Sequence, residues 1–369
     1  MNIIFIRSDT INPSVRLEKD ATTLSSLGHN VTILGWVRRG HLLKNEQRNG
    51  YNIHRFHIRA AHGMPVVFSW PFWWASIAYW ISKHDCDIVH AADFDSYFPA
   101  LIVAKLMHKK IIYDVCDYFP DSILKPVFIH KIFSKIDRFL MAKADKIIIA
   151  DECRLEQIGR PGDKSITVIY NVPNISVSKD LAQSSSKTNQ FKIFYAGYII
   201  PMRDLLSMIR FAEEHPEVSL TIAGLGYPEL LEKIQKRCQD VPNASYIGSI
   251  PYDEVIRRSL ESDLLFAFYD PIRKSNRYAS PNKLFEAMMC GKPILMNGGI
   301  ASADIVQREN CGLLIPYGDY EALEETVLRL MNDPALCKKL GENGRKAYEE
   351  KYNWNNQEKK LLGVYRNIL

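Results

Sequence analysis

The chain has 369 residues, 47% of them hydrophobic and 24% charged, with a net charge of +5. This balance excludes a disordered or fibrous protein and leaves room for two domains, each with its own core. Seven cysteines (86, 116, 153, 238, 290, 311, 337) are scattered with no Cys-x-x-Cys pair and no Cys/His cluster at zinc spacing, which argues against a metal scaffold and for a reduced, cytoplasmic setting. The start of the chain, Met1 to Arg7, has no basic run ahead of its brief apolar stretch and suits a first strand rather than an export signal. Charge is unevenly spread: residues 1–84 hold ten Lys/Arg against four acids, and nine of the ten His precede residue 180. That fits either a solvated basic face or a surface that meets an anionic substrate or membrane.

Hydrophobic runs alternating with amphipathic stretches predict an opening βαβ unit, with a strand over 3–6, a helix over 14–27 ended by Gly28, and a strand over 31–34. The rhythm continues with strands over 87–90, 110–115, 146–150 and 165–169 and helices over 97–107 and 131–142. No Gly-x-Gly-x-x-Gly follows the first strand, so a dinucleotide site is not expected there. Residues 173–190, which include Pro173 and the run 184–186 of three serines, read as a linker. The second half repeats the pattern: strands over 192–196, 219–223, 245–247, 264–268 and 293–296, helices over 205–213, 228–239 and 252–261, and a last helix over 355–368. Two successive doubly wound α/β domains put a ligand cleft outside the C-terminal ends of their strands.

One stretch organises the second half, Ser280-Pro281-Asn282-Lys283-Leu284-Phe285-Glu286-Ala287-Met288-Met289-Cys290-Gly291-Lys292-Pro293-Ile294. Ser280 reads as an N-cap, Pro281 as the first helical residue, and Gly291 with Pro293 as the stop. Leu284, Phe285, Met288 and Met289 give the helix an apolar face, while Lys283 and Glu286, three apart, project together. A helix N-terminus beside a lysine suits an anion. Glu286 would repel a phosphate and is better placed to accept hydrogen bonds from hydroxyls such as those of a ribose. A capped amphipathic helix with solvated charges would have the same spacing.

The run SPNKLFEAMMCGKPIL resembles the donor-site signature of retaining family-4 glycosyltransferases of the GT-B fold, especially bacterial enzymes that build surface polysaccharides. The resemblance implies two Rossmann-like α/β domains: an acceptor-binding domain over 1–172, to which the helix 355–369 returns, a linker over 173–190, and a nucleotide-sugar domain over 191–354. It places Glu286 on the nucleotide ribose as the second Glu of a Glu-x7-Glu pair, whose first position is Tyr278 here. It places further donor contacts at Gly197, Tyr198, Gly248, Pro281, Asn282 and Leu284. Catalytic work falls to Arg203 and Lys283 as diphosphate clamps and to Asp117, which follows Cys116 where relatives carry a His. Asp9, Asn12 and Arg16 occupy a loop that the family uses for acceptor or phosphate contacts. Gly224 and Gly226 share the nucleotide-facing loops, and Arg273, Lys274 and Arg277 read as solvated or as phosphate contacts.

The implied reaction is retaining transfer of a sugar, with a UDP-sugar favoured as donor, to a glycan or lipid-linked glycan, without a metal or other cofactor and with no nucleic-acid partner. Asp85-x-Asp87 and Asp93-x-Asp95 match the Asp-x-Asp pattern of metal-dependent transferases, but such matches are frequent by chance. A nucleotide-sugar 2-epimerase and a non-catalytic partner subunit remain alternatives. Residues 64–81 carry no charge and hold four of the six Trp. Pro71 and the spread of the aromatic residues argue against a membrane span, leaving a buried helix or an interfacial segment whose Trp73 and Trp74 enter lipid. The enzyme is accordingly expected in the cytoplasm, in one reading at the inner face of the membrane.

Overall fold

The computed structural model describes residues 1–60, 64–122, 127–159, 166–175 and 190–368. Residues 176–189, with the three serines of the expected linker, lie outside the described residues, as does Ser165. The chain divides into two compact units, one of residues 1–171 with 355–369 and one of residues 172–354.

The first unit is built on strands β1 (Asn2–Ile6), β2 (Asn30–Val37), β3 (Asn45–Arg48), β4 (Tyr51–His57), β5 (Ile88–Ala92), β6 (Lys110–Val115), β7 (Lys146–Ile149) and β8 (Ile166–Val168). Their order in the sheet is β3-β4-β2-β1-β5-β6-β7-β8, parallel except for the β3–β4 hairpin. The run Ile3–Ile6 and all of β5 are buried because both faces of a central parallel strand are covered by helices. The helices are α1 (Val15–Ser26), α2 (Trp70–Lys83), α3 (Phe94–Leu106), α4 (Val127–Met141) and α5 (Arg154–Ile158). Strand order reverses between β1 and β5, so the loops after these two strands flank the crevice at which α/β sheets bind ligands.

Sequence periodicity gave no sign of the β3–β4 hairpin. Its two-residue turn is Asn49-Gly50, both at positive φ (46° and 85°), the conformation that an Asn-Gly hairpin turn requires. The aromatic segment over 64–81 forms a 3₁₀ turn and then α2, whose inner face buries Trp70, Trp73, Ile77 and Ile81 at helical spacing. Trp73 stacks on Trp36 at 5.5 Å between ring centroids, and the indole Nε1 of Trp74 donates to the Asp95 carbonyl at 3.0 Å. The expectation that Trp73 and Trp74 enter lipid is therefore corrected, since both are committed to packing within the unit. The large hydrophobic residues that α2 and its preceding turn leave exposed among those described are Phe68 (80% exposed), Phe72 (67%) and Tyr79.

The second unit holds β9 (Phe191–Ala196), β10 (Val218–Ala223), β11 (Ala244–Tyr246), β12 (Leu264–Ala267), β13 (Ile294–Asn297) and β14 (Gly312–Ile315) in the all-parallel order β11-β10-β9-β12-β13-β14. Around it lie α6 (Leu205–Glu214), α7 (Pro228–Asp240), α8 (Tyr252–Glu261), α9 (Lys274–Arg277), α10 (Asn282–Cys290), α11 (Ala303–Glu309), α12 (Tyr320–Asn332) and α13 (Pro334–Ala347). The order reverses between β9 and β12, which sets the loops after them side by side. The last helix, α14 (Trp354–Arg366), belongs from Asn355 onward to the first unit. There the Tyr365 hydroxyl meets His90 Nδ1 at 2.7 Å, and the Gln357 side chain accepts from the Tyr170 amide.

Candidate functional site

At the reversal point of the second unit, α10 supplies the two charges expected of it. The helix begins one residue later than the sequence suggested, with Pro281 (ψ 128°) as its cap, and ends at Gly291 in the left-handed conformation (φ 65°). The expected apolar face of Leu284, Phe285, Met288 and Met289 is buried, and burial extends beyond it to every residue from Leu284 to Cys290, Glu286 included. On the α13 side a β-carbon at Gly341 would come 2.1 Å from the Gly291 carbonyl oxygen, so the approach needs a glycine at 341.

Lys283 leaves the first turn of α10 and reaches over the loop after β9. Its ammonium lies 4.7 Å from the ring centroid of Tyr195, and a β-carbon on Gly197 would fall 2.3 Å from Nζ. Burial disfavours the ammonium, yet the phenols of Tyr195 and Tyr269 with the Glu286 carboxylate outweigh it and hold the lysine pKa above its usual value. Arg203 comes from the same loop, ahead of the following helix: it closes a 3₁₀ turn, Pro201–Arg203, and Asp204 at φ 46° starts α6. Its guanidinium lies 3.6 Å from the ring centroid of Tyr269, and its Nη1 is buried with no hydrogen-bond partner among the described residues. The Ser280 hydroxyl, at the mouth of α10, is likewise buried and unpartnered among the described residues. Two cations seated on two tyrosine rings, with donor capacity in reserve, can receive a dianion.

Glu286 is buried one turn from Lys283. Burial raises its pKa, while Lys283 and a hydrogen bond from the Tyr252 hydroxyl of α8 act in the opposite direction. Around this group the loops after β9, β10 and β11 are tied together. The Gly197 amide donates to the Ala223 carbonyl at 3.0 Å, and the Gly224 amide to the Gly248 carbonyl at 2.8 Å. Gly248 needs φ 71°, and a β-carbon on Gly224 would meet the Gly197 carbonyl oxygen at 1.9 Å. Tyr198 stands exposed, edge-to-face with Tyr227 at 6.2 Å.

Thus Gly197, Arg203, Lys283 and Glu286, distant in sequence, meet at one place, with Pro281, Asn282 and Leu284 on the same first turn of α10. Tyr278 ends α9 on the loop that leads into it. Arg273, Lys274 and Arg277 are exposed, and Arg277 Nε donates to the Pro271 carbonyl at 2.7 Å. Sequence reasoning missed the tyrosines 195, 252 and 269. The signal available for Tyr195 and Tyr269 was a tyrosine hydroxyl at or just after the end of a strand whose neighbouring residues are largely apolar.

At the reversal point of the first unit Arg7 lies 3.5 Å from Asp9 and 3.9 Å from Asp93. Burial drives the Asp93 carboxyl up to about 7 against the attraction of Arg7. Asp117 donates its backbone amide to Asp93 at 2.8 Å, while its own carboxylate is 85% exposed and 3.4 Å from Arg154. Cys116, beside it, has its thiol pushed well above the usual range by burial, with Asp114 and Asp93 adding to the effect. Arg16 does not serve as a ligand contact. It is buried, bound to both Asp114 oxygens at 2.8 and 2.9 Å and to the Ile169 carbonyl at 2.8 Å.

Among the described residues one set of potential metal ligands, Asp20, His90 and Asp114, has its ligand atoms within 4.8 Å of one another, but the Arg16 guanidinium already covers both oxygens of Asp114. Asp85 and Asp87 serve structure: Asp87 accepts from the Asn2 amide at 2.8 Å and Asp85 from the Asn2 side chain at 3.0 Å. No helix among the described residues is long and apolar enough to cross a membrane.

Residues 176–347 match the family model of glycosyl transferases group 1, and residues 21–176 match that of glycosyltransferase family 4. An uncharacterized glycosyltransferase of Methanocaldococcus jannaschii, MJ1069, is 22% identical over 86% of this chain and 84% of its own. The capsular polysaccharide biosynthesis glycosyltransferase CapM of Staphylococcus aureus is 27% identical over a shorter stretch, 26% of this chain and 25% of its own. The crystal structure of Anabaena HepE in complex with UDP superposes with a TM-score of 0.75 at 15% identity, over 99% of this chain and 100% of that one. The two parallel sheets and the two adjoining family matches agree: the chain belongs to the group 1, family 4 glycosyltransferases of GT-B fold, a class that draws its sugars from nucleotide-linked donors.

Proposed function

We propose that this enzyme transfers a sugar with retention of configuration from a UDP-sugar to a glycan or lipid-linked glycan acceptor in surface-polysaccharide synthesis. The observation that carries the donor half is the pair of cations, Arg203 on Tyr269 and Lys283 on Tyr195, beside the buried Glu286. In this reading the diphosphate lies against the two cations and the Gly197 loop, and Glu286 accepts hydrogen bonds from the ribose hydroxyls. The bond from the sugar C1 to the β-phosphate oxygen breaks, the acceptor oxygen bonds C1 on the same face, and its proton passes to the departing phosphate. Stabilising charge on that phosphate is the main catalytic term, and Arg203 and Lys283 supply it without a metal. A UDP-sugar is favoured because the structurally similar HepE was crystallised with UDP, and the polysaccharide setting because CapM is named for capsule synthesis.

The acceptor half is assigned to the first unit, with Asp117 as a group that orients sugar or acceptor, and the enzyme to the cytoplasmic face of a membrane. Support for membrane contact comes from α4, whose exposed residues include Phe128, Ile132, Ile136 and Phe139 interleaved with Lys131, Lys135 and Arg138, a basic amphipathic face of the kind that binds anionic bilayers.

A thermal-shift screen of UDP-, GDP- and CMP-sugars tests the donor reading, since only a nucleotide that binds the folded state raises Tm. A rise with UDP-sugars above the other two is expected, and no rise with any nucleotide would overturn it. Interconversion of the donor sugar without an acceptor would move the assignment to a 2-epimerase.

A further inference from the structure

A second cationic site lies in the first unit, at the C-terminal ends of β2 and β4. A cavity of about 800 Å³ is lined by Arg38, Arg39, His41, His57, Arg59 and Ser69 among others, with no carboxylate in its wall among the described residues. Arg38 is held in place: its guanidinium lies 4.6 Å from the ring centroid of Trp36, Nη2 donates to the Ser8 carbonyl at 2.9 Å, and Nε is buried with no partner among the described residues. Arg39 and Arg59 are exposed, and no hydrogen bond or ion pair to another described residue engages either guanidinium. His57 is used within the loop, its Nε2 2.9 Å from the Leu42 carbonyl oxygen. Other arginines of the region are satisfied elsewhere. Arg48 pairs with Glu18 and Glu46, and Arg55 pairs with Glu46 and three backbone carbonyls.

Asp95 and Asp9 act on Arg38, but Arg39 and Arg59 have no carboxylate partner among the described residues, and an anion with several acceptor oxygens would offset the repulsion among the three and match their planar donor forks. Ser69 forms part of the wall; Phe68, next to it in sequence, and Phe72, three residues on, are 80% and 67% exposed. We infer that this cavity binds the phosphate or diphosphate of an amphiphilic acceptor, with Arg38, Arg39 and Arg59 on the phosphoryl oxygens and Phe68 and Phe72 against the start of the apolar chain. This deepens the lipid-linked reading of the acceptor and rests on it, while being independent of the donor site.

The test uses the full-length protein at low salt, with farnesyl diphosphate, inorganic pyrophosphate and farnesol as probes in calorimetry, each with saturating UDP present so that the nucleotide site is filled. Farnesyl diphosphate is expected to bind at least tenfold more tightly than pyrophosphate, and farnesol not at all. In Arg39→Ala/Arg59→Ala farnesyl diphosphate should bind at least tenfold more weakly, with the unliganded Tm and the affinity for UDP unchanged. Phe68→Ser/Phe72→Ser should weaken farnesyl diphosphate and leave pyrophosphate as it was. Farnesyl diphosphate that fails to bind, or binds equally to the double arginine variant, overturns the site. Equal affinities for pyrophosphate and farnesyl diphosphate overturn the lipid assignment and point to a soluble phosphorylated ligand. Failure of UDP alone to bind would count against the donor reading without touching this one.

Discussion

Lys283 lies across Gly197 so closely that a β-carbon there would fall 2.3 Å from its Nζ and 2.7 Å from its Cε. Gly197 is thus a glycine for room, not for backbone freedom, since its φ lies outside the left-handed region. Gly197→Ala should push the ammonium off Tyr195 and away from the diphosphate, and loss of a charge-assisted contact of about 1.5–3 kcal/mol predicts UDP binding roughly ten- to a hundredfold weaker. Gly248 is the contrasting case, at φ 71° with no described atom within 4 Å of where a β-carbon would stand. Gly248→Ala should cost about 1–2 kcal/mol of stability through backbone strain, with a smaller effect on the diphosphate. Calorimetry with UDP on both variants checks this, and full affinity in Gly197→Ala would show that Lys283 does not need its place over the loop.

Much of the candidate site in the second unit was legible because it is local. Ser280, Pro281, Gly291 and Pro293 punctuate a helix whatever surrounds it, and the spacing of Lys283 and Glu286 follows from helix geometry alone. The tyrosine platforms were not legible: Tyr195 and Tyr269 meet Lys283 and Arg203 only because the sheet reverses between β9 and β12, a property of topology that no local pattern carries. The same holds in the first unit. Arg16, one of ten basic residues among the first 84, gives no hint in sequence that Asp114, 98 residues on, will hold two of its nitrogens. The hairpin at β3–β4 was hidden for a different reason, since β3 is a short polar edge strand with alternating exposure and no apolar run to mark it.

Arg203 and Lys283 should matter most once negative charge develops on the leaving diphosphate. Arg203→Ala and Lys283→Ala are each expected to lower kcat by about a hundredfold or more with the melting temperature little changed, and EDTA should leave the wild-type rate as it is. Steady-state assays with and without chelator decide this. Activity lost to EDTA and restored by magnesium or manganese would transfer the role to a metal.

Glu286 gives a pH signature. Its carboxyl is held above the usual carboxylate range by burial, against Lys283 and Tyr252, so it takes up a proton at a higher pH than an exposed glutamate does. The charged form is the better acceptor for ribose hydroxyls. UDP affinity should therefore be full at neutral pH and fall on acidification, beginning above the ordinary glutamate range, and Glu286→Gln should remove that dependence while weakening binding at neutral pH. An acid limb that persists unchanged in Glu286→Gln would assign it to another group.

Asp20 offers a stability test separate from function. It is buried near Lys19, Arg16, His90 and Asp114, and burial lifts its carboxyl to about 6 despite the nearby cations. A raised folded-state value means the unfolded chain ionises first, so stability is lost as pH rises from about 4 to about 6 and then stays level. Asp20→Asn keeps the neutral shape and avoids that loss, which predicts a variant more stable than wild type by about 2–3 kcal/mol at neutral pH and nearly equal at about pH 4. Thermal melts across this range measure the difference. A variant that melts below wild type at neutral pH would mean that the ionised carboxylate is worth more to its neighbours than burial costs it.

The membrane reading now turns on which aromatic residues face outward. Trp73 is fully buried against Trp36 and Phe56, so Trp73→Ser should unfold or strongly destabilise the first unit, by about 3–5 kcal/mol, and its effect on lipid binding would say nothing about lipid. On α4 the inner residues Phe133 and Asp137 pack inward, Phe133 against Phe94 and Phe119, while Phe128, Ile132, Ile136 and Phe139 stand in solvent beside Lys131, Lys135 and Arg138. Substitutions there change the surface and leave the core alone. Phe128→Ser/Phe139→Ser should remove most of the apolar insertion, and Lys131→Glu/Lys135→Glu most of the attraction to anionic headgroups, which is worth about 1 kcal/mol per basic residue near the surface. The protein is expected to sediment with vesicles containing phosphatidylglycerol at low salt, less so as salt is added, and each double variant to remain in the supernatant with an unchanged Tm. Wild-type protein that stays soluble beside such vesicles even at low salt would leave α4 without a bilayer partner and shift the acceptor toward a soluble glycan.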